Sequence, residues 1–410
     1  MPNLIIHRAA NEIGGNCLEI SSNKTRLLFD FGLPLISIKE KKPPSSCRFE
    51  IEGIYKNQNP QVSAVFLTHA HPDHYGLLTE LNPKIPVYAS QATINLLINV
   101  APLFGNDFSH INFIPLNAYE TIKIGSFTVK SLPVDHSAAE SFSYQIKIGK
   151  KRLLYTGDLR AHGKCAYLTK RLFKIFSPDY LILEGTSLNR SVKKAETETA
   201  LQKRLLKALS RHKLPVIYFS AQNLDRFVAV YKAAKLLNKT LITDPYTCFV
   251  LEQFKHLSPS IPQWNWPNIR VYFANNSLTK KLGKYKFLYK SKKISLKKIL
   301  DNPHKFIVKD NFIIRRKLLR KTNKLYLIHS AWEGYLREED NALKKDAETF
   351  NLPLITLHTS GHGDLYTLKE IVKNIKPHNL IPIHTVCAEK YQNIFNTNTI
   401  VLKDGKPLKI

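Results

Sequence analysis

The stretch LTHAHPDHYG at residues 67–76 sets His69, His71, Asp73 and His74 within six positions, directly after an apolar run. Imidazole nitrogens and carboxylate oxygens at this density suit a divalent metal, with Zn²⁺ the first expectation and Mn²⁺ the second. A turn after a strand can aim His69 and His71 at one ion. Asp73 and His74, opening the next helix, can face another. The bland alternative is a solvated turn, so the rest of the chain has to decide. Three more donors stand apart: His136 in LPVDHSAAES, Asp158 in LLYTGDLRAHG and His384 in LIPIHTVCAEK. Asp158 has two oxygens and can bridge a pair of ions. A lone buried histidine more often just satisfies hydrogen bonds. Their common placement at strand ends is what lifts them above that reading.

Short apolar runs supply those strands. RLLFDFG (26–32), SAVFLTH (63–69), KRLLYTGD (151–158) and DYLILEGT (179–186) come first. PVIYFSA (215–221), TLITDPY (240–246), KLYLIHS (324–330), PLITLHTSG (353–361) and NLIPIHT (379–385) follow. Continuous apolar runs of this length read as strands buried on both faces. Helical spacing appears between some of them, in ETETALQKRLLKALSRH (196–212) and LDRFVAVYKAAKLL (224–237). The class is therefore α/β with layered sheets. Asp30, His69, Asp158, Glu184, His362 and His384 all follow such runs, at the edge where sheet enzymes commonly build their sites.

Size and composition narrow the partners. A chain of 410 residues can bury a large core and most often forms two domains. Lys+Arg number 61 against 32 Asp+Glu, a formal net charge of +29. That excess favours a polyanion, nucleic acid before an anionic membrane surface. The block 280–324 carries 17 Lys+Arg and only Asp301 and Asp310 as acids, with Tyr285, Phe287, Tyr289, Phe306 and Phe312 interleaved. Aromatics among cations suit backbone contact plus base stacking, and equally a solvated lysine face over ordinary core aromatics. No apolar run approaches the ~20 residues of a membrane span, and the N-terminus lacks a signal-peptide pattern. Five scattered cysteines without a CxxC pair fit reduced thiols in a cytoplasm.

The set Asp30, His69-x-His71-x-Asp73-His74, His136 and Asp158 resembles the metallo-β-lactamase superfamily motifs in their usual order. Glu184 in LILEGTS, His362 in HTSGHGD and His384 in IPIH are similar to the three further motifs of its nucleic-acid-processing β-CASP branch. YFSAQNLDRFVAVYKAA and TDPYT resemble that branch's inserted domain. LHTSGHGD…KPHNLIPIH is most similar to RNase J-type ribonucleases. The resemblance implies an αββα metallo-β-lactamase sandwich at 1–190, a β-CASP α/β domain inserted at 191–355, and completion of the sandwich at 356–410. It implies one metal on His69, His71, His136 and a bridging Asp158, and a second on Asp73, His74, Asp158 and His384. Asp30 would orient ligands from behind. His384 is followed by Thr385 and Val386 where the family often has Gly-Glu.

The activity so implied is two-metal hydrolysis of RNA phosphodiesters, by 5′→3′ exonuclease or endonuclease action, leaving 5′-phosphate and 3′-hydroxyl ends. Asp73 would handle the proton of the attacking water, His362 would assist the leaving 3′ oxygen, and Glu184 would orient His362 or a ligand. Ser220, His358 and Ser360 would bind a terminal 5′-phosphate, or else simply shape strand-end turns. The third-motif histidine argues for RNA, because DNA-acting members tend to lack it. A DNA nuclease of the same branch and a small-molecule metallohydrolase are the competing readings. A basic inserted block argues against the latter. Full-length RNase J proteins carry a further C-terminal domain, whereas this sequence ends with VLKDGKPLKI, so the resemblance implies at most a homodimer formed without that domain. His329 in IHSAWEGY reads as structural.

Overall fold

A computed structural model describes the chain apart from residues 175–176, 191–193, 275–276 and 339–340. It divides into two compact units, one of Met1–Ala195 with Gly361–Ile410 and one of Glu196–Ser360. Residue 191, the expected start of the inserted domain, lies outside the described residues.

The first unit is built on two sheets. One runs in the order Pro407–Lys409, Asn3–Arg8, Cys17–Ser22, Thr25–Phe29, Ala64–Phe66, Pro86–Ser90, Asn112–Leu116. The other runs Asn379–Ile383, Tyr180–Glu184, Lys151–Tyr155, Ser141–Ile148, Phe127–Val134, Thr121–Ile124. Period-two geometry sends successive side chains to opposite faces, and the sequence supplies apolar groups for both. Leu27, Phe29, Ala64 and Phe66 join one core with Leu153, Tyr155, Ile182 and Ile381 from the opposite sheet. Leu28 and Val65 point the other way, into a second core with Phe31, Leu77 and Leu81. Leu154, Leu181 and Leu183 meet Leu368, Ile371, Val372 and Ile375 of the helix Leu365–Ile375. That helix places its apolar residues three and four apart, so a single stripe is buried. The Asp364 side chain caps its start by accepting the Thr367 N–H at 2.7 Å. The result is an αββα sandwich.

Two registers prepare the site. Phe29 pairs with Phe66 in parallel, which brings Asp30 and Thr68 off neighbouring strand ends. Glu184 pairs with Ile383 in parallel, which brings Glu184 beside His384 although 200 positions separate them. Asp30 and His384 both adopt left-handed backbone conformations, φ 63° and 54°. Non-glycine residues rarely do so, and such outliers concentrate at functional sites.

The second unit holds a parallel six-stranded sheet in the order Ile269–Val271, Thr240–Thr243, Phe306–Lys309, Leu214–Tyr218, Leu325–His329, Leu354–Thr356. Helices Glu198–Leu209 and Leu224–Leu236 cover one face through Leu201, Leu205, Phe227 and Val230. Ile314, Leu318, Leu343 and Ala347 cover the other. The aromatics of the basic block divide: Tyr289 and Phe306 are core residues, while Tyr285, Phe287 and Phe312 are exposed. His329 is buried, with Nε2 against the Trp332 carbonyl at 3.1 Å and its ring stacked on Tyr218. Among the described residues, no helix is long and apolar enough to cross a membrane.

Candidate metal centre

Four groups converge within the first unit. His69 Nε2 lies 2.9 Å from His71 Nδ1, and His136 Nε2 lies 3.3 Å from the same atom. Asp158 Oδ2 is 3.7 Å from His69 Nε2 and 4.0 Å from His136 Nε2. His71 Nδ1 has at most one proton to share between two nitrogens, so lone pairs are left facing one another, an arrangement that suits a cation. The far edges of two rings are already committed. His69 Nδ1 meets the Thr68 hydroxyl at 3.0 Å, and His136 Nδ1 donates to the Gly361 carbonyl at 2.6 Å. Fixing the proton on Nδ1 turns the Nε2 lone pair inward.

A second group adjoins the first through Asp158. His74 Nε2 is 3.3 Å from Asp158 Oδ2 and 3.9 Å from Asp73 Oδ2. His384 Nε2 is 3.3 Å from Asp73 Oδ2, while its Nδ1 meets Asp158 Oδ1 at 2.9 Å and the Thr186 hydroxyl at 3.0 Å. Donor atoms of Asp73, His74 and His384 all lie within 4.8 Å of one another. His74 Nε2, His384 Nε2 and both Asp158 oxygens are buried and, among the described residues, lie at ion-pair distances from one another without a well-aligned hydrogen bond. A buried polar atom left unsatisfied is costly, and four of them facing one space are the donor set a divalent cation satisfies. The residues therefore fit a metal pair.

Asp30 locks this arrangement from behind. Its Oδ1 accepts the Thr68 amide at 2.7 Å, and its Oδ2 accepts His74 Nδ1 at 2.8 Å and the Tyr155 hydroxyl at 2.8 Å. The carboxylate therefore keeps the His74 proton on Nδ1 and turns Nε2 toward Asp158. The HPDH turn is held by backbone as well. Asn16 N–H donates to the Asp73 carbonyl and Phe31 N–H to the His74 carbonyl, at 2.9 and 2.7 Å. Gly32 allows this close approach: a Cβ there would lie 1.8 Å from the Asp73 carbonyl oxygen.

The two halves of the centre differ in charge. Burial and the neighbouring histidines push His69 and His136 well below the usual imidazole range, and burial takes His71 down to about 4. These three are neutral and ready to ligate. Burial also opposes charge on His74 and His384, but the carboxylates of Asp158 and Asp73, joined by Asp30 at His74, outweigh it. His74 rises well above the ordinary range and His384 to about 10. Burial works against the Asp73 and Asp158 carboxylates too, yet the histidines around them hold both low, Asp73 at about 2.

Glu184 is fully buried, with Oε1 accepting the amides of Leu159 and Gly363 at 3.3 and 3.2 Å and Oε2 that of Thr186 at 3.0 Å. It thus ties the loops that carry Asp158 and His362 to its own strand end, where the Thr186 hydroxyl meets His384. His362 Nδ1 lies 3.6 Å from both Asp158 Oδ2 and Glu184 Oε1, and its side chain is 21% exposed, facing the open side of the cluster. Asp158, Glu184, His362 and His384 form a further grouping of ligand-type atoms that the sequence did not suggest as a set. Thr68, Tyr155, Thr186 and the Gly361 carbonyl were also missed. Only the adjacency of Thr68 to His69 carried any signal. In the second unit, exposed Ser220 follows Leu214–Tyr218, and half-buried His358 and Ser360 follow Leu354–Thr356. Those strands point the same way with Leu325–His329 between them, so the three residues share one sheet edge but not one loop.

Comparison with known proteins agrees with this geometry. Residues 49–214 match the family described as "Beta-lactamase superfamily domain". An "RNase J-like protein" of Methanocaldococcus jannaschii is 25% identical over 99% of this chain and 96% of its own length. The "DNA cross-link repair protein pso2/snm1" of Schizosaccharomyces pombe is 34% identical over 30% of this chain and 21% of its own length. Unlike the first of these, most of the curated relatives are matched over less than half of their length. A crystal structure of a protein of unknown function from Enterococcus faecalis V583 superposes with a TM-score of 0.80, at 22% identity and 99% coverage of both chains. Residues 49–214 therefore carry a β-lactamase superfamily domain, and along its whole length the chain is similar to an RNase J-like protein, consistent with the β-CASP type.

Proposed function

We propose that this chain is a metal-dependent ribonuclease, its first unit the catalytic metallo-β-lactamase domain and its second the β-CASP domain. The observation that carries the reading is the buried convergence of five histidines and two aspartates with Asp158 at the junction. The full-length similarity to an RNase J-like protein supports RNA as the substrate. One ion would be held by His69, His71, His136 and Asp158, the other by Asp73, His74, Asp158 and His384. Zn²⁺ suits this imidazole-rich set best, with Mn²⁺ the alternative. When bound, the ions supply Lewis acidity toward water and phosphoryl oxygens.

The side chains do the rest. Asp73, ionised at neutral pH and 13% exposed, accepts the proton of the attacking water. His362 stands where it can donate to the leaving 3′ oxygen. Glu184 positions His362 through the Gly363 amide. Cleavage of the P–O3′ bond then leaves a 5′-phosphate and a 3′-hydroxyl. Ser220, His358 and Ser360 serve as donors to a terminal 5′-phosphate, which favours 5′→3′ exonuclease action over internal cutting. The similarity to a DNA cross-link repair protein supports a second reading, a DNA nuclease of the same centre.

End-labelled RNA carrying a 5′-monophosphate or 5′-triphosphate, with a DNA control, separates these readings. Each is incubated with Mn²⁺ or Zn²⁺ and wild type, Asp73→Ala or His362→Ala. Mononucleotides from monophosphorylated RNA, lost in both variants while His362→Ala keeps its metal, are expected. Internal fragments regardless of the 5′ end would reassign the activity as endonucleolytic. Cleavage of DNA alone would transfer it to the second reading. Full activity in His362→Ala would remove that residue from the mechanism.

A further inference from the structure

Between Glu252 and Asp301 the sequence contains no acidic residue but eleven Lys+Arg. Within that stretch, Gly283–Lys292 forms an unusually long 3-10 helix. Three residues per turn stack side chains three apart into ridges. One ridge is buried at its centre: Tyr289 is fully enclosed, its hydroxyl donating to Glu252 Oε2 at 3.0 Å and its ring set edge-on to Trp264. This anchor fixes the element's rotation. A second ridge, Lys284–Phe287–Lys290, therefore faces solvent, with Phe287 54% exposed. Tyr285 and Leu288 line the third, also exposed. The Lys290 ammonium lies 4.1 Å from the Phe287 ring centroid, and that of Lys286 lies 5.4 Å from it.

We propose that this ridge is a binding platform for single-stranded RNA, in which Phe287 stacks a base and Lys284 and Lys290 hold the backbone on either side. An exposed aromatic between cations two turns apart, about 12 Å, is the arrangement that sequence-tolerant single-strand binding uses. An anionic bilayer would attract the same charge. A helix lying in a bilayer surface, however, segregates an apolar face from a cationic one, and here lysine and phenylalanine alternate along one ridge. Charge complementarity to a polyanion is strong, since no carboxylate in the stretch offsets the lysines. The choice of RNA rests on the proposed function; the platform itself does not depend on cleavage.

The test uses the full metal-loaded chain and a fluorescent 20-nucleotide phosphorothioate oligouridylate, which is held without turnover, read by anisotropy. Phe287→Ala, at unchanged net charge, weakens binding about 10-fold, as loss of one stacked base does. Lys284→Ala with Lys290→Ala lowers the salt-dependence slope by about 1.4, two contacts at 0.7 each. Neither change touches Tyr289, so thermal unfolding should match wild type. Wild-type affinity in Phe287→Ala, or an unchanged slope in the double variant, overturns the platform. So does loss of phosphatidylserine-vesicle binding in these variants while oligouridylate binding is retained, which would make the surface a membrane contact. Because hydrolysis is not read, failure of the ribonuclease proposal would appear separately.

Discussion

Replacing Asp30 by Asn tests the logic of the centre at one atom. The side chain keeps its size, and its residue is fully buried, so packing is conserved. What changes is that one acceptor oxygen becomes a donating NH₂. If the NH₂ takes the Oδ1 place, it meets the Thr68 amide, which already donates there at 2.7 Å. If it takes the Oδ2 place, it meets His74 Nδ1 and the Tyr155 hydroxyl, both at 2.8 Å. Tyr155 can rotate its proton away. His74 can accept only by moving its own proton to Nε2, the nitrogen that faces Asp158. One orientation therefore sets two buried donors against each other, at about 1–3 kcal/mol. The other disables a metal ligand. Loss of such a supporting carboxylate typically costs 10–100-fold in metal affinity. Chelator competition on purified protein should show that loss for the ion held by His74, with the ion on His69, His71 and His136 largely retained. Metal affinity within threefold of wild type at both positions would refute the argument that Asp30 sets the His74 tautomer.

Metal uptake should be coupled to protons unequally. His69, His71 and His136 are held low by burial, whereas His74 and His384, both raised by the carboxylates around them, must shed a proton to ligate. Titration calorimetry in buffers of different ionisation enthalpy should therefore find one ion entering with little proton release and the other with roughly two protons, its affinity falling as pH falls. Glu19 supplies an acid-sensitive term away from the centre. Burial opposes its charge, but His7 and a two-point Arg26 contact hold it at about 2. A carboxyl depressed on folding stabilises above its ordinary 4.5 and loses that contribution as pH falls toward 2. Urea unfolding should show wild type losing about 3 kcal/mol across that window, and Glu19→Gln starting lower with a flatter profile. Gly32→Ala should drive a methyl into the Asp73 carbonyl and shift the HPDH turn. Overpacking costs about 1–3 kcal/mol, and metal content measured by mass spectrometry should drop with it.

Most of the strands were legible because their apolar runs are buried on both faces; the edge strand Leu354–Thr356 is half-buried. Each quoted run contains a strand, and Leu27, Leu28 and Phe29 show why: adjacent residues serve different cores. The hairpin Phe127–Val134 with Ser141–Ile148 was less visible, because Thr128, Lys130, Gln145 and Lys147 interrupt its pattern. Metal-type residues announce themselves by chemistry, so the members of the cluster could be named from one sequence; their division between two ions remains a proposal. Apart from Asp30 and Glu184, supporting groups could not be named. A hydroxyl such as Thr186 or Tyr155, or a carbonyl such as that of Gly361, has no distinctive spacing and acts only through a fold that joins distant segments. The basic block was legible as charge, but which of its rings are core and which are exposed depends on a short helix whose period the sequence does not reveal.

The parallel pairing of Tyr180–Glu184 with Asn379–Ile383 has a consequence in time. Residues 196–360 are synthesised between those partners. At about 5–20 residues per second, a ribosome spends roughly 10–30 s on that interval. Throughout it, the nascent chain already carries His69, His71, His136 and Asp158 but lacks both His362 and His384. The last strand of its second sheet is also still to come. Closing so long a loop makes this pairing a late event in folding. A centre assembled in this order stays unfinished until the chain is almost complete.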